Sequence, residues 1–468
     1  MTHPNQTLVA HRTPSLRWVL ASLSLSMLLS SLGTSIANVG LPALAQVFGA
    51  SFQAVQWIVL AYLLAITTLI VSVGRLGDLI GRRRLLLTGI ALFTLASAIC
   101  GLAPSLWLLI GARALQGLGA AIMMALTLAF IGETVPKERT GSAMGLLGTM
   151  SALGTALGPS LGGVLIAGFG WQAIFLINVP LGILTFCLAW LYLPADRQAP
   201  KRGGFDPVGT LVLALTLAAY ALAMTLGRGN FGLLNVALLL VALIGVGLFV
   251  FVESTVDSPL IRLTMFRDLS LSGSLTINVL VSTVMMATLV VGPFYLTRGL
   301  GLNLAVVGGV MSIGPAISAL SGVPAGRVVD RFGAPLMVMV GLLAMVAGSV
   351  ALSVLPGWLG LAGYVAAIAI LTPGYQLFQA ANNTVVMLDV PAAQRGVMSG
   401  LLSLSRNLGL ITGASVIGAV FAFASAATDL TTASPEAVGT GLRVTFAVAA
   451  ALIVAALTIA LASRGRRA

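Results

Sequence analysis

The sequence predicts an all-α membrane protein in which two six-helix bundles of equivalent structure flank two inserted helices. Three observations predict this fold class. Of 468 residues, 58% are hydrophobic and only 8% are charged, with a mean hydropathy of +1.07, whereas soluble proteins carry about 25% charged residues. Apolar runs of about 20 residues, the length that crosses a bilayer as a helix, recur along the chain. Short motifs of the first half also reappear in the second half.

These repeated motifs define the two halves. The motif G-R-x-x-D-x-x-G occurs at residues 74–81 and again at 326–333, an offset of 252 residues. A second motif, V-P-x4-G-x3-G, begins at Val135 and again at Val390, an offset of 255 residues. Two unrelated motifs that share nearly one offset indicate structurally equivalent halves. Transporters that work by alternating access are built from such paired halves, with the substrate site between them.

Fourteen apolar stretches are predicted to be membrane-spanning helices. They cover about residues 17–40, 53–73, 85–103, 106–131, 141–167, 171–193, 208–227, 233–252, 270–296, 304–325, 335–355, 358–380, 396–424 and 440–463. The predicted domains are an N-terminal six-helix bundle (1–193), a linker with the two inserted helices (194–269) and a C-terminal six-helix bundle (270–468). The first stretch is longer than the apolar region of a secretory signal peptide, about 7–15 residues. We therefore expect it to be a retained helix.

The net charge of +12 would suit a nucleic-acid partner, but the distribution of the charges argues against one. If the N-terminus is cytoplasmic, 19 of the 24 Lys and Arg residues fall in cytoplasmic loops and tails. Three fall on the opposite side, and two, Arg113 and Arg406, fall deep inside predicted spans; Arg17 and Arg443, near the ends of the first and last spans, are counted with the adjoining tail and loop. This positive-inside asymmetry predicts a multi-pass protein of the cytoplasmic (inner) membrane with both termini in the cytoplasm. Membrane lipid is the expected surroundings, and no nucleic acid is expected.

Several kinds of chemistry are excluded by missing motifs. Neither lysine, Lys137 or Lys201, lies in a G-K-[ST] phosphate-binding loop, so the chain is not predicted to be an ATP-driven pump by itself. The two histidines, His3 and His11, lie in the N-terminal tail, and the sequence contains no H-E-x-x-H or C-x-x-C motif. We predict no enzyme activity, no metal site and no cofactor. Movement of a small-molecule substrate driven by a gradient remains.

Three motifs of the first half carry a family resemblance. They are Gly74, Arg75, Gly77, Asp78, Gly81 and Arg82 between spans 2 and 3, Arg113 and Gln116 in span 4, and Gly154, Gly158, Pro159, Gly162 and Gly163 in span 5. With them the chain resembles the major facilitator superfamily and, within it, the fourteen-helix drug/proton antiporter family. The resemblance implies the major facilitator fold and export of amphipathic, drug-like molecules, with protons as the coupling ion. We expect a monomer.

The resemblance also implies roles for the charged residues. Asp78 and its repeat Asp330 would latch the cytoplasmic side, because a carboxylate can neutralise the N-terminal dipole of a neighbouring helix. The alternative is an ordinary solvated loop charge. Arg113 would take part in proton coupling, or would instead bond to backbone carbonyls of a neighbouring helix. For Arg406, contact with substrate or gate and structural hydrogen bonding stay equally open. Ionisable groups at membrane depth are costly and functional by default.

The span-5 glycines lie on one face of a helix. Gly154, Gly158 and Gly162 recur every four residues, and Pro159 adds a bend. Such a face lets another helix approach closely and slide. We expect a hinge; static packing of the two helices is the alternative, and both can hold together.

The chain departs from the family pattern in span 1. Members of the family usually have an aspartate before the T-x-x-N-V-x-L-P signature, and Gly33 takes its place here. None of the twelve Asp and Glu residues falls inside a predicted span, so the usual proton carrier is not located. The embedded charges are two arginines, which favours a neutral or anionic substrate over lipophilic dications.

Polar and special residues that could face a central cavity are the substrate-site candidates. They are Gly33, Asn38, Gln56, Trp57, Tyr62 and Gln116 in the first half, and Asn278, Tyr375, Gln379, Asn382 and Asn383 in the second. The alternative for each polar side chain is an interhelical hydrogen bond. Other functions stay open: movement of a small anion or metabolite without proton antiport, movement of lipid, or a non-transporting membrane protein of this fold. The span-5 motif favours export.

Overall fold

The computed structural model describes residues 16–50, 52–196, 206–225, 232–256, 259–302, 304–388, 390–391, 394–425 and 434–464, and in these ranges the regular structure is helical throughout. The helices are α1 Leu16–Val47, α2 Phe52–Ile80, α3 Arg82–Gly101, α4 Leu106–Thr134, α5 Thr140–Phe169, α6 Ala173–Leu176, α7 Asn178–Tyr192, α8 Pro207–Thr225, α9 Leu233–Thr255, α10 Leu269–Phe294, α11 Leu304–Phe332, α12 Ala334–Met387, α13 Arg395–Ala424 and α14 Pro435–Arg464.

The described helices provide fourteen crossings, as the sequence predicts. Twelve segments of the described chain are long and apolar enough to span a membrane. One of these, the 54-residue α12, breaks at Gly360, where φ is 55° and ψ is −127°. Its two arms run back along each other, since a side chain at Gly341 would meet the backbone of Phe378. Counting α12 as two crossings and adding the 30-residue α5, which is not among the twelve, gives fourteen. Spans 11 and 12 of the sequence prediction are the two arms of α12.

The two halves repeat their backbone geometry at the loop motif. Gly81 precedes α3 with a φ of 107°, and Gly333 precedes α12 with a φ of 87°. Positive φ is strained for residues that carry a Cβ, so glycine is required at both positions. Gly81 also lies against the carboxylate of Asp196, which accepts hydrogen bonds from the backbone of Arg83 (2.8 Å) and Arg84 (3.1 Å). The repeated glycine therefore starts the equivalent helix in each half.

Glycines hold two equivalent helix pairs together. On α5, a Cβ at Gly154 would overlap the backbone of Leu28, and one at Gly158 would collide with Ser35 of α1. On α13, the glycines 255 residues later, Gly409 and Gly413, contact the backbone of α10 in the same way. Without a hydrophobic force between helices in lipid, such close backbone approach stabilises the pair through van der Waals contact.

The inserted helices α8 and α9 lie at the edge of the bundle. Helix α8 packs along both α2 and α13, and the Tyr220 hydroxyl is hydrogen-bonded to the hydroxyl of Thr412 on α13. Helix α9 packs mainly on α8 and leaves large apolar side chains such as Leu243 (69% exposed) and Ile244 (71%) uncovered. Such exposure suits contact with lipid chains. The pair therefore covers the seam between the halves on one side.

Candidate functional site

Two aspartates join the halves at one end of the bundle. This end, called the latch end below, is where α2 and α11 finish and where α5 and α13 begin. Asp78, near the end of α2, accepts hydrogen bonds from the backbone N–H groups of Gly396 (3.0 Å) and Val397 (3.3 Å) at the start of α13. These N–H groups have no partner within their own helix. A carboxylate there also opposes the positive end of the helix dipole.

The second aspartate makes the equivalent contact with the two halves exchanged. Asp330, near the end of α11, accepts hydrogen bonds from the backbone N–H groups of Gly141 (2.7 Å) and Ser142 (2.9 Å) at the start of α5. The Ser142 hydroxyl also donates to Asp330. Each half thus supplies a carboxylate to a helix N-terminus of the other half.

The two repeated motifs are therefore complementary surfaces. The G-R-x-x-D-x-x-G motif of one half packs on the V-P-x4-G-x3-G motif of the other, and the reverse pair does the same. A Cβ at Gly74 would overlap the carbonyl of Gly396, and a Cβ at Gly326 would overlap the carbonyl of Gly141. The glycines allow the backbones to approach closely enough for the aspartates to reach the opposite helix.

The other motif residues surround Asp78. Arg82 pairs with Asp78 through Nη2 (2.8 Å) and with Glu133 through Nη1 (2.8 Å), and the side chains of both Arg82 and Asp78 are buried. Gly77 packs against Leu126 of α4. Arg75 is half-buried next to this cluster along α2. Asp78 thus belongs to an ion-pair network, whereas Asp330 is held by backbone N–H groups and one hydroxyl in the described part of the chain.

A cavity of about 540 Å³ lies between the halves. Residues of α1, α2, α4 and α5 line one side, and residues of α10, α11, α12 and α13 line the other. Its volume lies within the range of ligand sites, about 300–1,000 Å³. Six methionines contribute to the wall: Met27, Met124, Met144, Met285, Met286 and Met311. Methionine walls adapt to ligands of different shape.

Five of the candidate residues line this cavity. They are Asn278, Tyr375, Gln379, Asn383 and Arg406. Asn278 is also tied to α13, because its amide donates to the Ser405 hydroxyl at 2.7 Å. The Gln379 amide donates to the Tyr375 hydroxyl at 3.0 Å. The structure thus brings together second-half candidates.

The first-half candidates with described side chains lie elsewhere. Gly33, Trp57, Tyr62 and Gln116, and Asn382 of the second half, stand outside the lining. The Asn382 amide donates to the Ser274 carbonyl at 3.4 Å, and Trp57 is half-buried. The side chains of Asn38, Gln56 and Pro159 lie outside the described part of the chain.

Arg113 is enclosed by its own half. The side chain is fully buried, and it donates to the carbonyls of Ile58 (2.9 Å) and Gly33 (3.0 Å) and to Gln116 Oε1 (2.5 Å). Its guanidinium lies 4.1 Å from the centre of the Tyr62 ring, a cation–π distance. A Cβ at Gly33 would lie 2.9 Å from the Tyr62 hydroxyl and 3.3 Å from the Phe93 ring. Gly33, Tyr62, Arg113 and Gln116 are thus one buried cluster.

The span-5 glycines differ from one another. Gly154 and Gly158 face α1, where the Ser35 hydroxyl donates to the Gly154 carbonyl at 3.1 Å. Gly162 is buried, whereas a Cβ at Gly163 would have no atom within 4 Å. Gly154 and Gly158 therefore allow α5 to pack closely against α1, whereas Gly163 has room for a side chain.

The sequence reasoning missed several residues at the cavity. Ser31 and Ser151, whose hydroxyls are 2.8 Å apart, join α1 to α5 at the cavity wall. Ser151 is also the repeat position of Arg406, because 255 residues separate them. The signal was present, since the same offset relates Gly154 to Gly409 and Gly158 to Gly413.

Comparison with known proteins agrees with this arrangement. Residues 23–414 match the Major Facilitator Superfamily. The chain is 33% identical over 424 residues to the multidrug resistance protein Stp of Mycobacterium tuberculosis, covering 88% of this chain and 76% of Stp. It is 31% identical to the riboflavin transporter RibZ of Clostridioides difficile (87% and 88% covered) and 30% identical to the multidrug efflux pump LfrA of Mycolicibacterium smegmatis (88% and 82% covered).

Solved structures show the same fold at low identity. The human organic anion transporter MFSD10 (TETRAN) superposes with a TM-score of 0.66 at 16% identity, covering 96% of this chain and 100% of that one. The proton:xylose symporter XylE gives 0.65 at 14% identity, covering 94% and 95%. Fourteen helical crossings, two complementary motif pairs and a cavity between the halves are features of a multi-pass membrane transporter. The chain belongs to the Major Facilitator Superfamily.

Proposed function

We propose that this protein exports small amphipathic, drug-like molecules across the cytoplasmic membrane by alternating access, as a monomer of the fourteen-helix drug/proton antiporter family. The observation that carries the proposal is the pair of crossed contacts from Asp78 to Gly396 and from Asp330 to Gly141. These contacts join two equivalent halves at one end of the bundle, and a ligand-sized cavity lies between the halves. Breaking them lets the halves separate at that end.

The orientation follows from the charges. By the count of crossings, the start of α1 and the end of α14 lie on the latch side, as do the loops that carry most of the Lys and Arg residues. We therefore propose that this side faces the cytoplasm, as the positive-inside rule predicts. The described conformation is then closed to the cytoplasm. The names of the relatives Stp and LfrA support multidrug export, and the fourteen crossings support the fourteen-helix family.

Coupling to the proton gradient forms part of the proposal. In the described chain the lining carries no Asp, Glu or His, so the carboxylates at the latch end are the candidates for proton binding. A proton on Asp78 would cancel the charge that holds the start of α13. Proton binding and release of the latch would then be one event.

The test is a substrate screen in a host that lacks its main drug exporters. Cells that express the protein should keep fluorescent amphipathic dyes at lower internal concentration than control cells. Collapse of the proton gradient with an uncoupler should abolish the difference. Export that persists without a proton gradient would contradict the coupling, and no export of any dye would contradict drug efflux.

A second candidate function rests on a specific observation. The single charged side chain among the described lining residues is Arg406, and one relative is a riboflavin transporter. Transport of a metabolite or small anion, without conventional proton antiport, would use the same cavity. Growth or uptake that depends on riboflavin and on this protein would favour this alternative.

A further inference from the structure

Arg406 is a cation in the wall of the cavity without a charged partner among the described residues. It stands eleven residues after the start of α13 at Arg395, about 16 Å from the latch end at 1.5 Å per residue. Its Nη1 and Nη2 atoms lie 3.5 and 3.4 Å from the Ser151 hydroxyl, and its Nε is buried without a hydrogen-bond partner in the described structure. A charge at this depth that lacks a counter-ion is costly.

The rest of the lining offers no counter-ion. Among the described residues that surround the cavity, the polar groups are amides and hydroxyls, including Gln376, Gln379, Asn383 and Asn407. The carboxylates of Asp78, Glu133 and Asp330 are engaged at the latch end. An isolated guanidinium therefore gives the apolar cavity a positive potential, which the low dielectric enlarges.

Arg113 provides the comparison, because its hydrogen-bond donors find their partners within the protein. Its donors reach two backbone carbonyls and Gln116, and its face lies on the Tyr62 ring. Arg406 has long contacts to one hydroxyl instead. The internal repeat does not require an arginine there either, because the equivalent position of the first half is Ser151. A guanidinium with free donors in a ligand-sized cavity is arranged to bind something from outside the chain.

We propose that Arg406 is an anion subsite: it pairs with the carboxylate of an amphipathic substrate whose apolar body contacts the methionine wall. The guanidinium fork matches a carboxylate in a bidentate geometry. Met285 and Met286 of α10 supply apolar surface in the same cavity. This inference rests on the proposed function and names the substrate class within it: amphipathic organic anions rather than lipophilic cations.

The test measures binding to the purified full-length protein in detergent, so it does not depend on transport. The probes are fluorescein, which is anionic, and rhodamine 123, which carries a positive charge on the same xanthene ring system. The wild-type protein should bind fluorescein at least tenfold more tightly than rhodamine 123. Arg406→Gln should weaken fluorescein binding at least tenfold and leave or improve rhodamine binding, and Arg406→Lys should recover part of the fluorescein affinity.

Arg298→Gln is the matched control, because it removes the same charge from an exposed position outside the lining. It should leave both affinities unchanged. Three results would overturn the inference: absence of fluorescein binding by folded wild-type protein, tighter binding of rhodamine 123, or equal weakening of both dyes by Arg406→Gln. Selective anion binding combined with no export from cells would instead contradict the proposed function and leave the subsite standing.

Discussion

Asp78 and Gly396 are 318 residues apart in sequence, yet the Asp78 carboxylate accepts the Gly396 N–H at 3.0 Å. The repeat of this contact joins Asp330 to Gly141 at 2.7 Å. Each contact pairs the first motif of one half with the second motif of the other half. The internal repeat of the sequence thus also joins the two halves of the structure, because equivalent motifs are used twice across one seam.

Loss of the charge at position 78 should weaken the contact between Asp78 and the start of α13. Asp78→Asn keeps the volume of the side chain but replaces charge-assisted hydrogen bonds, each worth about 1.5–3 kcal/mol, by neutral ones. Since about 1.4 kcal/mol is a factor of ten in an equilibrium, dye export should fall at least about tenfold. Export by cells, normalised to the amount of protein in the membrane, is the measurement.

The control for this variant is Asp268→Asn. Asp268 accepts the N–H of Ser270 at 2.8 Å at the start of α10, so it caps a helix without joining the halves. The Asp268→Asn variant should export dye nearly as well as the wild type. Normal export by a well-expressed Asp78→Asn protein, or an equal loss in both variants, would remove the gating role of Asp78.

Bulk on the α1-facing side of α5 should stop turnover. Gly158→Leu forces a side chain into Ser35 and the backbone of α1, and such overpacking costs about 1–3 kcal/mol. The protein should reach the membrane but export little. Gly163→Leu serves as the control, because nothing lies within 4 Å of a Cβ there, and it should stay active. Equal activity of the two variants would mean that α5 does not need its close approach to α1.

Arg113 should matter for stability. Arg113→Gln removes the charged donor from the carbonyls of Ile58 and Gly33, and hydrogen bonds to charged groups are worth about 1.5–3 kcal/mol each. The thermal unfolding midpoint of the purified protein should fall by several degrees. Arg406→Gln should change it far less, because Arg406 has only long contacts to Ser151. An unchanged midpoint in Arg113→Gln, together with lost proton dependence of export, would favour the coupling role instead.

An acid at position 33 should not create a cation site. The Gly33 α-carbon faces Tyr62 and Phe93 within the Arg113 cluster, outside the lining. Rhodamine 123 affinity of Gly33→Asp should therefore stay within a few-fold of the wild type. Thr34→Asp, at the adjacent residue that does line the cavity, should strengthen rhodamine binding. A strong gain in Gly33→Asp alone would show that position 33 meets substrate.

Hydropathy and the internal repeat are sufficient to predict the fold. Helix number and the order of the helices follow from apolar length, because a bilayer requires that every backbone group be satisfied within a helix. The contacts between the two halves cannot be predicted from the sequence in the same way. The offsets show that Asp78 and Asp330 are equivalent, but they do not show that each reaches the opposite half, since sequence spacing carries no information on which copies meet.

The cavity is predictable only in part for a related reason. Arg113 and Arg406 both lie in the interior of their helices, and position along a helix alone does not give the direction of a side chain. Helix rotation, fixed by packing against Tyr62 and the α1 backbone in one case and by the open cavity in the other, separates them. The serine at position 151 was visible only through the offset to Arg406.

The most direct test of the crossed latch is a distance across it. Spin labels on Glu138→Cys, exposed before α5, and Phe332→Cys, exposed at the end of α11, flank the contact between Asp330 and Gly141. They are introduced after replacement of Cys100 and Cys187, and double electron–electron resonance gives the distance distribution. A short, narrow distribution should broaden towards longer distances in the double variant Asp78→Asn, Asp330→Asn. A distribution that both aspartate changes leave unaltered would contradict the claim that these carboxylates hold the halves together.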